Sequence, residues 1–175
     1  MSETKASIRQ QIRRAFKEFG PAMRQQESRQ LCGRLLQHPR FAAARTLGIF
    51  LPLPDEPDLS PLYAQFPGQL ALPFPADEGW RFHHVTDLTP TTTGPFGLML
   101  PEPGPAVEWT PADLILVPGR AFSAQGQRIG RGAGIYDRLL AASPAWTLGI
   151  AFSIQFFPAL PQECHDAILN EVILP

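Results

Sequence analysis

Residues 113–140 read DLILVPGRAFSAQGQRIGRGAGIYDRLL, and the fold turns on how this stretch divides. Asp113 to Val117 is short, apolar after its first residue, and stopped by Pro118-Gly119. That pattern predicts a buried central strand. Pro118 to Gly134 predicts a long glycine-containing loop, and Ile135 to Ala142 a helix behind it. A strand, a loop at its carboxyl end and a following helix make the repeating unit of an α/β sheet.

Within the loop, Gly130, Gly132 and Gly134 lie two residues apart, just before a helix that carries Tyr136, Asp137 and Arg138. Glycines so spaced let backbone N–H groups converge on an anion without Cβ interference. Arg128 and Arg131 add planar cations suited to phosphate. A plain glycine-rich turn with surface arginines is the competing interpretation. No Gly-Lys-Ser/Thr occurs, so this is not a Walker loop. The glycines lack the GxGxxG spacing and stand more than ten residues past their strand, which argues against a dinucleotide fingerprint.

Outward from this segment, residues 5–19 predict a helix with Ile8, Ile12, Phe16 and Phe19 on one face and Ser2 or Thr4 as its cap. Pro21 marks a break, after which a second helix runs to about Gln37. Strands are expected at Thr46 to Leu51, Gln69 to Leu72, Trp80 to Val85, Thr147 to Phe152 and Ile168 to Leu174, with a short helix at Ser60 to Phe66. Pro52, Pro54 and Pro57 make the segment between them a rigid loop leaving a strand end. The chain holds 20 prolines, roughly twice ordinary usage, so its middle should be loop-rich; strand-like apolar runs between them exclude a linker. The expected architecture is α/β: a single domain over residues 1–175, with a central mostly parallel sheet and helices on both faces, a Rossmann-like three-layer sandwich.

Composition narrows the function. Apolar residues make up 44% of 175, typical of a chain with a core. A net charge of −1 and a pI near 6.4 give no general pull toward nucleic acid. Cys32 and Cys164 share no metal or redox spacing, and a reducing compartment fits them. Neither a secretory signal nor a run of about 18 apolar residues is present, so a cytoplasmic protein without membrane contact is expected. There is no internal repeat.

The ordered set Val117-Pro118-Gly119, Ala121-Phe122 and Gly126-Gln127-Arg128-Ile129-Gly130-Arg131-Gly132-Ala133-Gly134-Ile135-Tyr136-Asp137 resembles the signature of the 5-formyltetrahydrofolate cyclo-ligase family. Other parts agree in order: Lys5 with Arg9, Ile49-Phe50-Leu51 with Asp55-Glu56, Leu72-Pro73, Glu102-Pro103, Gly149 to Phe152 with Gln155, Leu160-Pro161, and His165-Asp166. The chain departs from the pattern at Ile135 (a tyrosine in the family), Phe74 (a basic residue), Leu59 (a threonine) and Ser123 (an aspartate).

The resemblance implies an ATP- and magnesium-dependent enzyme that converts 5-formyltetrahydrofolate to 5,10-methenyltetrahydrofolate. ATP would contact Lys5, Arg9, Arg128 and the stretch Gly130, Arg131, Gly132, Ala133, Gly134, Ile135 and Tyr136. The folate would contact Leu51, Glu56 and Arg131 to Ile135. Arg131 and Tyr136 would act in catalysis, and Asp137 and Asp166 would hold Mg2+. A monomer is favoured. The alternative, motivated by Phe74, Leu59 and Ile135, is a relative that binds nucleotide or folate without turnover.

Several residues have bland interpretations. Lys5, Arg9 and Arg13 share one helix face, and without the resemblance that face is a solvated basic surface. Arg13, Arg14 and Lys17 keep that interpretation. Asp137 alone could be a first-turn acid, Asp166 a loop residue capping a turn, and Glu56 a solvated acid beside Asp55 and Asp58. His38, His83 and His84 lack partners at ligand spacing. Trp80, Phe82, Phe96 and Met99 are candidates for a pocket wall, with core packing the commoner use.

Overall fold

The computed structural model describes residues 3–141 and 143–175. The alternative cap Ser2, the helix end Ala142 and the side chain of Phe96 lie outside what is described. Helix α1 (Lys5–Glu18) opens on a reciprocal cap: Ser7 N donates to Thr4 Oγ1 at 3.1 Å, and Thr4 N donates to Ser7 Oγ at 3.0 Å. Its buried face is Ile8, Ile12 and Phe16, with Phe19 buried just past its end. The break expected at Pro21 lies between α1 and α2 (Pro21–Leu36), and Pro21 itself opens the second helix, because a first helical residue needs no N–H acceptor. A five-residue helix, α3 (Pro39–Ala43), begins the same way at Pro39, with the His38 ring accepting Arg40 N–H at 3.2 Å.

Next along the chain come β1 (Thr46–Gly48), α4 (Ser60–Tyr63), β2 (Gln69–Ala76) and β3 (Gly79–Val85). A two-residue pair, β4 (Thr92–Thr93) and β5 (Met99–Leu100), precedes β6 (Leu114–Val117). Then follow β7 (Ala121–Ser123), β8 (Arg128–Ile129), α5 (Ile135–Ala141), β9 (Trp146–Ile150), β10 (Phe156–Phe157) and β11 (Glu171–Ile173). The main sheet has the order β11-β9-β6-β1-β2-β3 and is parallel except for the β2–β3 hairpin. This is the expected mostly parallel α/β sheet.

Strand β2 runs through Pro73 and Pro75, four residues past its expected end. Ile49 N donates to Ala71 O at 2.8 Å, so the peptide edges of Ala71, and by alternation of Pro73 and Pro75, turn toward β1. β1 has already ended at Gly48, so the two missing N–H groups have no ladder to break there.

The four residues of β6 are all buried and alternate between two cores. Leu114 and Leu116 join Leu31, Leu35, Phe41, Leu62 and Tyr63 under α2, α3 and α4. Ile115 and Val117 join Phe82, Leu139 and Leu140 under α5. A strand buried on both faces reads as a continuous apolar run, which is why this one was legible. The expected loop over Pro118 to Gly134 is instead partly a small sheet, β10-β7-β8, whose strands are two or three residues long. Ile8 of α1 packs on it against Ala121 and Ile129.

Three of the four departures from the family pattern fall in packed interior. Phe74 and Leu59 belong to the first core, and Ser123 is buried with its hydroxyl donating to Gln127 Oε1 at 2.9 Å. Among the described residues no helix is long and apolar enough to cross a membrane.

At the amino end of β6, the buried Asp113 carboxylate accepts Thr46 N–H at 3.0 Å and Thr110 N–H at 2.7 Å, with Thr110 Oγ1 at 2.8 Å. It thereby locks the starts of β1 and β6 together. Asp113→Ala leaves a buried N–H without its acceptor and should lower unfolding free energy by roughly 1–3 kcal/mol, read as a shift in urea midpoint at unchanged slope.

Candidate active site

β1 and β6 are neighbours, but the chain leaves β1 toward β2 and leaves β6 toward β9, in opposite directions across the sheet. A crevice opens at their carboxyl ends, the usual ligand position in such sheets. It holds a cavity of about 720 Å³. Phe50, Leu51, Leu53 and Glu56 come from the exit of β1, and Pro118 and Gly119 from the exit of β6. Every residue to which the resemblance gives a ligand or metal role lines this one cavity: Lys5 and Arg9 from α1, Leu51 and Glu56, Arg128, the run Gly130 to Asp137, and Asp166.

The α1 side is positively charged but internally compensated. Lys5 Nζ lies 2.7 and 2.6 Å from the two Asp166 oxygens and 3.1 Å from Glu163 Oε2. Burial alone would lower the Lys5 pKa, but Asp166 and Glu163 outweigh it and raise it. Asp166 moves the opposite way: burial pushes it up, and Lys5 with the Glu163 N–H, at 2.6 Å, holds it below its usual value. Arg9 Nε donates to Gly130 O at 2.8 Å, docking the helix on the glycine loop. Arg13, Arg14 and Lys17 are exposed, as the bland interpretation expects.

In the loop, Gly132 has φ +113° and Gly134 φ +63°, conformations that L side chains rarely adopt. A Cβ on Gly132 would come no nearer than 4.0 Å to the Arg9 guanidinium, so it would project into open cavity. Arg128, with its side chain only 4% exposed, donates to Asp137 Oδ1 at 2.7 Å, and its guanidinium lies 5.8 Å from the Tyr136 ring centre. A buried cation needs such a counter-ion. Tyr136 Oη and Arg128 Nε are buried and lack a hydrogen-bond partner among the described residues. Burial first, and the Glu56 charge second, push the Tyr136 phenol pKa far up, keeping it a proton donor.

Across the cavity, Glu56 Oε1 accepts from Arg131 Nε at 3.1 Å and Arg131 NH2 at 2.9 Å, while its Oε2 accepts Leu53 N–H at 3.1 Å. Asp55 bridges Arg131 and Arg120. Burial would raise Asp55, yet the two guanidiniums hold it below the ordinary carboxylate value. Nothing local in the sequence marks this bridge: Asp55 reads as a solvated acid, and Arg120 is one residue past the Val-Pro-Gly turn. Asp58, the third acid, caps α4 through Ser60 N–H at 3.0 Å.

Asp137 and Asp166 both offer hard oxygen donors to the one cavity, the donor type that suits magnesium beside phosphates. Each already faces a cation, Arg128 or Lys5. Glu163, His165 and Asp166 form the group of three potential metal ligands found among the described residues. Trp80 lines the cavity, whereas Phe82 packs edge-on to Trp109 and Met99 is exposed. His83 Nδ1 pairs with Gly104 O at 2.8 Å and His38 Nε2 with Glu171 at 3.2 Å, both away from the cavity.

Residues 1–175 match the model of the 5-formyltetrahydrofolate cyclo-ligase family. The chain is 28% identical over 180 residues to the 5-formyltetrahydrofolate cyclo-ligase of Escherichia coli K12, covering 94% of this chain and 96% of that one. It is 23% identical over 191 residues to the mouse protein of the same name, covering 99% and 94%. Its fold is similar to the solution structure of Aquifex aeolicus 5,10-methenyltetrahydrofolate synthetase, with a TM-score of 0.85 at 29% identity, over 97% of this chain and 89% of that chain.

The Lys5–Asp166 pair should leave a two-sided pH signature. Asp166 is held below its ordinary 3.8, so its contribution is complete above that value and disappears as pH falls through the lowered one. Lys5 is raised above 10.5, so its share is complete below that value and disappears as pH rises through the higher one. Urea midpoints of wild type and Asp166→Asn, measured without magnesium, should differ at neutral pH and converge on the acid and alkaline limbs.

Proposed function

The chain belongs to the 5-formyltetrahydrofolate cyclo-ligase family, a family of enzymes, and we propose that it uses ATP and magnesium to close 5-formyltetrahydrofolate into 5,10-methenyltetrahydrofolate. The observation that carries this is the single cavity that gathers basic α1 residues, the glycine loop, a buried acid and two further carboxylates from distant parts of the chain.

In this reading the ATP phosphates lie against Lys5, Arg9, Arg128, Arg131 and the backbone of Gly130, Gly132, Ala133 and Gly134. Ile135 and Tyr136 form the floor beneath them. The folate pterin sits between Leu51 and Glu56, whose carboxylate accepts ring N–H groups. The formyl oxygen attacks the γ-phosphorus as the bond to ADP breaks. N10 then adds to the activated formyl carbon, the carbon–oxygen bond breaks, and phosphate and the N10 proton depart. Catalysis of this kind is mainly positioning plus neutralisation of charge on the transferred group. Arg131 supplies charge at that group, and Tyr136, kept protonated by burial, donates toward the reacting oxygens. Magnesium, held by Asp137 and Asp166, would neutralise phosphate charge. Lys5 and Asp166 pair with each other without ligand and would part to meet a phosphate and the metal.

The binding-only alternative rested on Phe74, Leu59 and Ile135. Phe74 and Leu59 are core residues rather than cavity residues, and their apolar character is what that core requires. Only Ile135 of the three lines the cavity.

The test is the absorbance rise of the methenyl product. With 5-formyltetrahydrofolate, ATP and magnesium the wild type should give it, and omission of ATP or magnesium should abolish it. A folded wild type that binds ATP and folate yet yields no product would leave the binding-only relative standing. Gly132→Val forces a β-branched side chain to positive φ and into the cavity. It should abolish ATP binding, while the unfolding free energy falls by only the strain of one residue, on the order of 1–3 kcal/mol, read as a modest drop in thermal midpoint.

A further inference from the structure

Arg120 and Asp55 stand behind the cavity wall, not on it, and they back the two residues that do line it, Arg131 and Glu56. Asp55 Oδ1 accepts from Arg131 and Oδ2 from Arg120, while Glu56 takes Arg131 through Oε1. The four side chains are partly or wholly withdrawn from water, at 18% exposure for Arg120, 24% for Asp55, 29% for Arg131 and 7% for Glu56. Two positive and two negative charges cancel.

Arg120 is also held by its own backbone. Its N–H donates to Ile129 O at 2.7 Å, and its carbonyl accepts Gln155 Nε2 at 3.4 Å. It belongs to the exit of β6 and Asp55 to the exit of β1, so this pair spans the crevice beneath the ligand position. Removing Arg120 would leave two carboxylates against one guanidinium. Arg131 would then face the cavity with its charge more than cancelled, where partial burial weakens screening.

We infer that Arg120 is a positioning residue that acts through Asp55: by neutralising the second acid of the β1 exit loop, it leaves the Arg131 charge available to an anionic phosphate. The inference rests on the reading that the cavity takes Mg-ATP. It explains why an aspartate stands behind a phosphate-facing arginine without repelling the ligand.

Calorimetric titration of Mg-ATP into the full chain, with thermal midpoints recorded alongside, tests it. Arg120→Leu should weaken binding roughly five- to tenfold at low ionic strength, and the loss should shrink at about 1 M salt. Arg120→Lys, which keeps the charge, should stay within about twofold of wild type at a site governed by charge rather than fork geometry. Asp55→Asn should bind Mg-ATP no worse than wild type. The double variant Asp55→Asn/Arg120→Leu, neutral again, should regain most of the lost affinity. If Arg120→Leu does not fold, Arg120→Gln carries the same charge change. Unchanged affinity in Arg120→Leu, or equal loss in Arg120→Lys, Asp55→Asn and the double variant, would sink the inference and leave the proposed function intact. A folded wild type that binds no Mg-ATP would overturn both.

Discussion

β1 and β6 are held side by side as parallel strands while the chain leaves them in opposite directions, and the site exists because of that parting. No connection crosses between their carboxyl ends, so a crevice is left open. The lock beneath is the buried Asp113 carboxylate, which binds the start of β1 to the approach of β6. The apolar alternation of Leu114 to Val117 fixes which helices cover each face. With those strands in register, Leu51 and Glu56 arrive from one side, and Pro118, Gly119 and the glycine loop from the other.

The charged groups of the crevice satisfy one another. Lys5 holds Asp166, Arg128 holds Asp137, and Arg131 holds Glu56 and Asp55. Partly buried ions left alone would cost several kcal/mol each, so the pairing offsets that cost within the crevice. Under the proposed function, an incoming phosphate would exchange one ionic contact for another. Binding on that proposal would be a substitution among charged groups already held in place, not the ordering of free side chains.

Legibility in the sequence followed length and burial. Helix α1 was readable from its periodicity and strand β6 from its continuous apolar run. The small sheet β10-β7-β8 was not, because strands of two or three residues have no period and β10 pairs parallel with β7 from more than thirty positions away. α3 is too short to show a repeat, and the prolines of β2 look like breakers until the early end of β1 is known. Among site residues, the glycine loop declared itself chemically. Asp166 and Leu51 were reachable only through the long ordered family motif, since nothing local distinguishes them. Asp55 stood in the family motif without a role, and Arg120 escaped both routes, because the meaning of the pair lies in a contact 65 positions apart.

The contact between Lys5 and Asp166 joins positions 161 residues apart and closes one wall of the crevice. During synthesis, α1 is made well before the loop that carries Asp166. Until that loop emerges, Lys5 lacks its counter-ion and β9 lacks its outer neighbour β11. A chain interrupted before that loop therefore presents an unfinished cavity. Loop-closure entropy makes a contact of such separation slow to form in refolding as well, so this wall of the crevice closes late.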